Sequence, residues 1–181
     1  MKFIETAIPG VFIIDSVAFD DDRGTFVPAW LPDEFTARGL STNIAQASLV
    51  RTHRRGTIRG VHFQADPFAE AKTIRVIRGA VFDVAVDLRP DSPTYRRWVG
   101  CELSDANRRM LYLPVGCAHG YQTLVDDTDV LYFVSAPYSP PHQRGVRWND
   151  PALGIQWPLG PPTSINERDA TYPLLDPPPA T

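Results

Sequence analysis

Residues 73–88 read TIRVIRGAVFDVAVDL, and this stretch decides the fold class of the chain. Apolar and β-branched residues alternate with polar ones on both sides of Gly79, a pattern typical of two strands joined by a tight turn. The stretch therefore predicts β structure. In the second segment the two faces of the predicted strand differ, with Phe82, Val84, Val86 and Leu88 on one and Asp83, Ala85 and Asp87 on the other.

Short strand-like segments separated by turn residues continue along the chain. Eighteen prolines and twelve glycines divide its 181 residues into short pieces. A helix is predicted only at residues 32–39, with Pro in its first turn and Gly at its end, and residues 104–109 predict a capped turn. Further strands are predicted at 11–19, 57–63, 110–113 and 130–135. The expected architecture is an all-β barrel or jelly roll with a few short helices.

Length and composition indicate one globular domain. A chain of 181 residues with 43% hydrophobic and 22% charged residues builds one substantial core and is short for two. The net charge of −3, without a long basic run, gives no electrostatic footprint for a nucleic acid or an anionic membrane. We predict a single domain over residues 1–181, with a flexible Pro-rich tail at 176–181.

No segment predicts export, membrane insertion or a disulfide framework. The N-terminus lacks a basic region followed by an apolar core, and no apolar run approaches the roughly 18 residues that span a bilayer. Cys101 and Cys117 are the only cysteines, and their spacing is not that of a metal or redox motif. A cytoplasmic protein with two buried thiols is expected.

The candidate chemistry begins at RGVHFQ (59–64), which is followed by Lys72 ten residues after His62. Imidazole titrates near neutrality and takes a proton from carbon or oxygen, while a neighbouring cation stabilises the negative charge that results. The pair suggests enolate chemistry. A purely structural role is the alternative for a histidine considered alone.

A second histidine, His119, follows a Pro/Gly turn in PVGCAHG (114–120), which resembles the second cupin motif. Two histidines on a β scaffold raise the question of a bound metal. Metal-binding cupins carry His-x-His near the position of His62, but Gln64 occupies the second of these places, which leaves few imidazoles for a typical site. We therefore expect no metal and no cofactor.

Motifs along nearly the whole chain resemble those of the dTDP-4-dehydrorhamnose 3,5-epimerase family, which are metal-independent cupins. The resemblance implies a cupin jelly roll and an isomerase acting on a 4-keto-6-deoxy sugar attached to dTDP. The matching pieces, in order, are DRGTF (22–26), GTIRGVHFQ (56–64), AK (71–72), DVAVDLR (83–89), DSPT (91–94), PVGCAHG (114–120), Tyr132, YSP (138–140), WNDP (148–151) and IQWP (155–158).

The resemblance also assigns roles to residues. The C4 ketone of such a substrate acidifies the hydrogens on C3 and C5, so epimerisation needs a base, an enolate stabiliser and an acid. By resemblance these are His62, Lys72 and Tyr132, and Asp169 holds the imidazole. Asp83 and Asp87 either help to position Lys72 or line the barrel. The implied substrate contacts are Arg23, Phe26, Arg59, His119, Tyr138, Gln143 and Arg168, with the diphosphate at Arg59 and His119.

The chain departs from the family pattern at ligand-contacting positions. The family usually carries Gln-x-Asn-x-Ser-x-Ser upstream of Gly56, and counting back without a gap finds Ala47, Leu49, Arg51 and His53 instead. This alignment predicts a pocket wall that is partly apolar and basic. A one-residue gap near Gln46 restores part of the motif without its Asn. Other departures are Pro28 and Gln143 in place of Glu, Glu70 in place of Gln, and Arg168 in place of Lys.

The resemblance implies a homodimer in which N-terminal strands are exchanged, so that Arg23 and Phe26 complete the partner's pocket. Two alternatives stay open: the same scaffold acting on another small molecule, and a non-catalytic binding cupin. A pure binder has no need of a base and an acid on opposite sides of a ring. The presence of His62, Lys72 and Tyr132 together therefore favours an enzyme.

Overall fold

The computed structural model describes residues 1–175, and the predicted Pro-rich tail at 176–181 lies outside the described residues. None of the helices in the described part is long and apolar enough to cross a membrane. The strands are β1 (Lys2–Glu5), β2 (Phe12–Asp15), β3 (Phe19–Asp21), β4 (Gly24–Phe26), β5 (Gln46–Thr52), β6 (Ile58–Gln64), β7 (Lys72–Arg78), β8 (Ala80–Asp87), β9 (Trp98–Ser104), β10 (Met110–Leu113), β11 (Cys117–Thr123), β12 (Thr128–Val134) and β13 (Gln143–Gly145). The helices are α1 (Pro32–Thr36), α2 (Glu167–Thr171) and a 3-10 turn at Pro140–His142.

The strands form two main antiparallel sheets and one separate hairpin. A six-stranded sheet has the order β1-β2-β10-β7-β12-β5, and a five-stranded sheet has the order β13-β6-β11-β8-β9. Among the described residues, strands β3 and β4 pair only with each other. Most neighbours in a sheet are distant in sequence, as in a jelly roll. The all-β jelly-roll prediction is confirmed.

The main core lies between the two sheets. Ile74 and Leu111 of the six-stranded sheet pack with Val81, Ala85 and Tyr121 of the five-stranded sheet. The opposite face of β8 packs into a second cluster with the C-terminal segment, which contributes Val146, Leu153, Ile155 and Trp157. The predicted division of β8 into two faces is therefore correct, but both faces are buried because the C-terminal segment covers the outer one.

Gly79 does not form the hairpin turn that the sequence predicts. Strand β7 pairs with β10 and β12, whereas β8 pairs with β9 and β11, so the two consecutive strands enter different sheets. Gly79 has a φ of 81°, a left-handed conformation that glycine adopts without steric cost and that turns the chain from one sheet to the other. Alternation identifies the strands but does not identify their partners.

The other predicted elements agree with the structure in part. The segment predicted at 11–19 is two strands, β2 and β3, and the predicted helix at 32–39 is the shorter α1. The capped turn is confirmed, because the backbone N–H of Ser104 donates to Asn107 Oδ1 at 3.0 Å and that of Asn107 donates to Ser104 Oγ at 3.1 Å. The sequence predictions omitted β1, β4, β5, β9, β11, β13 and α2.

Asp87, at the end of β8, ties down the loop that follows. Its carboxylate accepts hydrogen bonds from the side chains of Arg89 at 2.8 and 2.9 Å, Ser92 at 2.5 Å and Thr94 at 2.6 Å. Burial alone would raise the pKa of Asp87, but these hydrogen bonds outweigh burial and hold the pKa well below its usual range. Asp87 thus serves the barrel and its loop, not Lys72.

We expect Asp87→Asn to lower the free energy of unfolding at pH 7 by about 2 to 4 kcal/mol, because Arg89 loses its counter-charge. A carboxylate with a depressed folded-state pKa stabilises above its unfolded pKa of about 3.9, and this stabilisation fades as the pH falls through the folded value. Urea denaturation at pH 7 and near pH 3 measures both effects. Exposed Asp91→Asn in the same loop is the control. A loss of unfolding free energy in Asp87→Asn that is equal at pH 7 and near pH 3 would contradict the prediction.

Candidate active site

A cavity of about 270 Å³ lies between the two sheets. It contains nine of the eleven predicted site residues, which come from strands, a loop and α2 that are far apart in sequence. Its walls also include Gln46, Val50, Phe63, Gln64, Glu70, Tyr121, Val134 and Asn166. The predicted members are His62, Lys72, Tyr132, Asp169, Arg59, His119, Tyr138, Gln143 and Arg168.

The two sheets present different chemistry to this cavity. His62 on β6 and His119 on β11 are cross-strand partners in the five-stranded sheet. Tyr132 on β12 and Lys72 on β7 belong to the six-stranded sheet, where Lys72 pairs with Val134, two residues beyond Tyr132. Two imidazoles therefore face the cavity from one sheet, and a phenol and an ammonium face it from the other.

An irregularity in β6 brings two predicted site residues to one face. Arg59 and His62 are three residues apart, so regular alternation would direct them to opposite faces. The pairing register between β6 and β11 shifts between His119 and Gly120, and both side chains line the cavity. Gly60 permits this close approach, because a Cβ there would lie 2.5 Å from the backbone oxygen of His119.

The protonation states of His62 and Tyr132 suit a base and an acid. Burial of the imidazole, followed by the positive charge of Lys72, lowers the pKa of His62 well below its usual value. The ring is neutral at pH 7 and free to accept a proton. Burial raises the pKa of Tyr132, so its phenol keeps its proton at that pH and is able to donate it.

Lys72 is held by a buried carboxylate. Its Nζ lies 3.0 Å from Glu70 Oε1, and both side chains are less than a tenth exposed. Gln64 Nε2 donates to Glu70 Oε2 at 3.1 Å. Gln64, which occupies the place of a second metal-binding histidine, thus anchors the loop before β7. Among residues 1–175 no group of three or more His, Cys, Asp or Glu side chains is arranged to hold a metal ion.

His119 lies within β11 and not on the turn before it, and a carboxylate holds its ring. His119 Nε2 is 2.9 and 3.1 Å from the two oxygens of Asp83, which is fully buried. Burial raises the pKa of Asp83, and the neighbouring His119 acts in the opposite direction. Of the two readings for Asp83, positioning Lys72 or lining the barrel, its hydrogen bonds favour the barrel interior, with His119 as partner.

Asp169 docks α2 on β6. Its Oδ2 accepts the backbone N–H of Gly60 at 2.8 Å, and Asn166 caps the helix by accepting the N–H of Asp169 at 2.7 Å. In the part of the chain that the structure describes, Asp169 Oδ1 has no hydrogen-bond partner, although Arg168 Nε lies 3.6 Å away. Asp169 shares the cavity with His62, and its role as the group that holds the imidazole stays a prediction.

The remaining predicted contacts form a cluster at the exposed side of the cavity. Tyr138 OH donates to Gln143 Oε1 at 2.7 Å, and Arg168 Nη1 donates to the same oxygen at 2.8 Å. Tyr138 and the side chain of Arg168 are each about half exposed. Because Gln143 is neutral, the counter-charge of Arg168 is Asp169, whose Oδ1 lies 3.6 Å from Arg168 Nε.

Comparison with known proteins agrees with this geometry. The family model for dTDP-4-dehydrorhamnose 3,5-epimerase matches residues 5–177. The chain belongs to this family. Membership confirms the expected isomerase class and makes the jelly roll one of the cupin type.

Individual relatives match over nearly their whole length. A dTDP-4-dehydrorhamnose 3,5-epimerase of Sinorhizobium fredii is 43% identical over 97% of this chain and 90% of its own. A dTDP-4-dehydrorhamnose 3-epimerase of Streptomyces niveus is 41% identical over 97% of this chain and 84% of its own. The crystal structure of the Bacillus anthracis 3,5-epimerase, with TDP and pyrophosphate bound, is 42% identical, with a TM-score of 0.92 over 96% of this chain and 99% of its own.

The family's Gln-x-Asn-x-Ser-x-Ser motif aligns on β5 only with the one-residue gap. Gln46 and Val50 line the cavity, whereas Ala47, Leu49, Arg51 and His53 are exposed on the other side, Leu49 by 60%. The ungapped alignment was therefore wrong, because a slip of one residue exchanges the two faces of a strand. The motif reads Gln46, Ser48, Val50 and Thr52 in this chain, so its Asn and both of its Ser residues are replaced.

Arg23 and Phe26 do not reach the cavity of their own chain. Both lie on the β3–β4 hairpin, where the Arg23 side chain is 85% exposed and Phe26 is 67% exposed. Arg23 pairs with Asp21 at 2.6 Å. Within one chain, Arg23 and Phe26 are thus separate from the other nine predicted site residues, which line the cavity.

The sequence reasoning missed cavity residues that simple patterns would have indicated. Tyr121 lies two residues after His119 on β11, hence on the same face, and burial raises its pKa to about 12. Gln46 and Val50 follow once the gap is accepted. Glu70 was noted only as a departure, because nothing in the sequence shows that its carboxylate reaches Lys72.

We expect the His62 imidazole to stay neutral well below pH 6.5, since burial and the charge of Lys72 both disfavour protonation. Heteronuclear NMR of ¹⁵N-histidine protein measures this, and loss of the signal in His62→Gln assigns the resonance. A His62 ring that is already half protonated near pH 6.5 would contradict the electrostatics described above.

Proposed function

We propose that this chain epimerises a dTDP-4-keto-6-deoxyhexose in deoxysugar biosynthesis, with His62 as base, Lys72 as enolate stabiliser and Tyr132 as acid. One observation carries the proposal. A neutral imidazole and a protonated phenol face one cavity from opposite sheets, and an ammonium lies on the phenol's side. Inversion of a carbon next to a ketone needs this arrangement, because the proton leaves one face of the ring and returns to the other.

The proposed step balances without a cofactor. His62 removes the proton from C3 or C5, and the electron pair of that C–H bond moves to the C4 ketone, which becomes an enolate oxygen. Lys72 stabilises the negative charge on that oxygen. Tyr132 then protonates the same carbon from the opposite face, the ketone re-forms, and exchange with solvent restores both side chains.

The basic side chains around the cavity support a diphosphate-linked substrate. Arg59, His119 and Arg168 line it, and a guanidinium fork suits anionic oxygens. Asp83 holds the His119 ring, and Thr52 Oγ1 accepts from Arg59 Nε at 3.1 Å, so both groups are oriented before a ligand arrives. The related Bacillus anthracis enzyme carries TDP and pyrophosphate. Tyr138 and Gln143 are proposed to contact the nucleoside or sugar.

A different 4-keto sugar is the second candidate substrate. It is favoured by Val50, whose apolar side chain lines the cavity at a motif position that is Ser in the family pattern. A site built without a hydrogen-bonding group there discriminates little against a sugar that lacks the matching hydroxyl. The similar identities to a 3,5-epimerase and to a 3-epimerase, 43% and 41%, leave both one-carbon and two-carbon inversion within the proposal.

We also propose a homodimer that completes the site, located in the cytoplasm. The β3–β4 hairpin exposes Phe19 by 58% and Phe26 by 67%, more than an unpartnered aromatic pair is expected to leave in water. The exposed Arg23 on this hairpin would add a further cation to a partner's cavity. The cytoplasmic assignment is supported by two free cysteines, Cys101 and Cys117.

We expect incubation with dTDP-4-keto-6-deoxyglucose in D₂O to place deuterium at C3, at C5 or at both carbons, as read by NMR. His62→Ala and Tyr132→Phe should each lower turnover by roughly 10² to 10⁴, because each removes one proton-transfer group. Binding of dTDP by calorimetry should stay within about threefold of wild type, since neither residue is assigned to the nucleotide.

Three results would contradict the assignment. Full turnover in either variant would remove that residue from the mechanism. Failure of the wild-type chain to bind any deoxythymidine nucleotide would favour an unrelated ligand, and binding without exchange would favour a binding cupin.

We expect sedimentation to give twice the chain mass of 20.2 kDa. If hairpin residues contribute to the partner's cavity, Phe26→Ala and His62→Ala should each be inactive alone. A mixture of the two variants that is unfolded and refolded together should regain activity, because one cavity of each mixed dimer is intact. Either variant refolded alone is the control. A monomer, or mixed dimers without recovered activity, would contradict the exchanged arrangement.

A further inference from the structure

We infer that Glu70 is a positioning residue of this site: its carboxylate holds the Lys72 ammonium in the cavity and balances the positive charge that His62 faces. The inference rests on the roles proposed above for His62 and Lys72. It concerns a position where the family pattern has Gln, so it describes a property of this chain.

The hydrogen-bond network around Glu70 is built for a carboxylate. Glu70 Oε1 lies 3.0 Å from Lys72 Nζ, which only donates. Glu70 Oε2 accepts from Gln64 Nε2 at 3.1 Å. Both oxygens therefore act as acceptors, which an amide at this position cannot reproduce.

The side-chain amide of Gln64 cannot rotate by 180° to accommodate an amide at position 70. Its Oε1 accepts the backbone N–H of Ser139 at 2.6 Å, and its Nε2 also donates to the backbone oxygens of Phe68 at 2.9 Å and Pro137 at 3.1 Å. Rotating the Gln64 amide by 180° would place its oxygen against the backbone oxygens of Phe68 and Pro137. Gln64 therefore presents a donor to Glu70 and joins it to the loop that carries Tyr138.

Burial makes the charge of Glu70 important. Glu70 and Lys72 are each less than a tenth exposed, so solvent screens their fields weakly. Burial is the largest cause of the lowered pKa of His62, and the positive charge of Lys72 lowers this pKa further. Burial also raises the pKa of Tyr132, and the negative charge of Glu70 adds to that rise. The ionisable groups around Lys72 and His62 are Glu70, Arg59, Asp83, His119, Tyr121, Tyr132, Tyr138, Arg168 and Asp169.

Among these groups, Glu70 is the one that contacts Lys72 directly. Asp83 is paired with His119, and Asp169 Oδ2 is occupied by the backbone N–H of Gly60. Within residues 1–175 no other carboxylate lies within 4 Å of Lys72 Nζ. Removing the charge at position 70 would leave the ammonium uncompensated beside the imidazole.

Two substitutions separate the charge of Glu70 from its reach. Glu70→Gln keeps the size and removes the charge, whereas Glu70→Asp keeps the charge and shortens the side chain. Exposed Glu5→Gln on β1 is the control for loss of one negative charge outside the cavity. The measurements are kcat and KM for deuterium exchange across pH, and an NMR titration of the His62 ring.

The acid limb of the kcat/KM profile is the pH range in which His62 becomes protonated. We expect Glu70→Gln to move this limb to lower pH by roughly 0.5 to 1 pH unit, because the uncompensated Lys72 ammonium disfavours the imidazolium. Its kcat should fall roughly tenfold with KM within about twofold, since the ammonium is displaced while the nucleotide contacts remain. Glu70→Asp should lower kcat and leave the acid limb in place. Glu5→Gln should match wild type.

The outcomes separate this inference from the proposed function. An acid limb and a His62 titration that Glu70→Gln leaves unchanged would overturn the inference, with wild-type turnover still supporting the function. If the wild-type chain exchanged no dTDP-4-keto sugar, the function would be wrong, and the NMR titration of His62 would decide the Glu70 inference alone. If Glu70→Gln does not fold, Glu70→Asp decides the question, because it retains the charge. A shifted acid limb in Glu70→Asp would then overturn the Glu70 inference.

Discussion

The antiparallel pairing of β6 with β11 and of β7 with β12 is the constraint on which the rest of this structure depends. Once these strands are paired, alternation determines which side chains face the space between the sheets. His62 and His119 then belong to one wall, and Lys72 and Tyr132 to the other. The shift of register at His119/Gly120 adds Arg59 to the first wall, at a place where only a glycine at position 60 allows the strands to approach.

This arrangement concentrates positive groups in a space that water screens weakly. Lys72, Arg59 and Arg168 line the same cavity, and His62 is neutral there because burial, followed by the charge of Lys72, lowers its pKa. The chain limits the cost of burying the Lys72 ammonium by placing the Glu70 carboxylate beside it, and Asp83 holds the ring of His119 on the opposite wall. An anionic ligand meets cations that are already oriented, while the base keeps the protonation state that it needs.

Much of this organisation was predictable from the sequence, and the failures have identifiable causes. The alternating stretch at 73–88 indicated β structure, and the resemblance of the motifs to the epimerase family implied that His62, Lys72 and His119 share one site. Gly79 was misassigned as a hairpin turn because alternation does not specify which strands pair. On β5 a single-residue slip exchanged the inner and outer faces, so that Leu49 was expected where Val50 lies. The Glu70 contact depends on loop geometry, for which the sequence has no periodic signal.

The central claim is that base and acid meet the sugar from opposite sheets while Lys72 meets its C4 oxygen. A crystal structure with dTDP-6-deoxyglucose tests this most directly, because this analogue has no ketone and cannot be deprotonated. The account predicts the hexose between His62 and Tyr132, with its C4 oxygen within hydrogen-bond distance of Lys72 Nζ and its diphosphate near Arg59 and His119. A hexose bound outside the cavity, or with His62 and Tyr132 on the same ring face, would contradict the account.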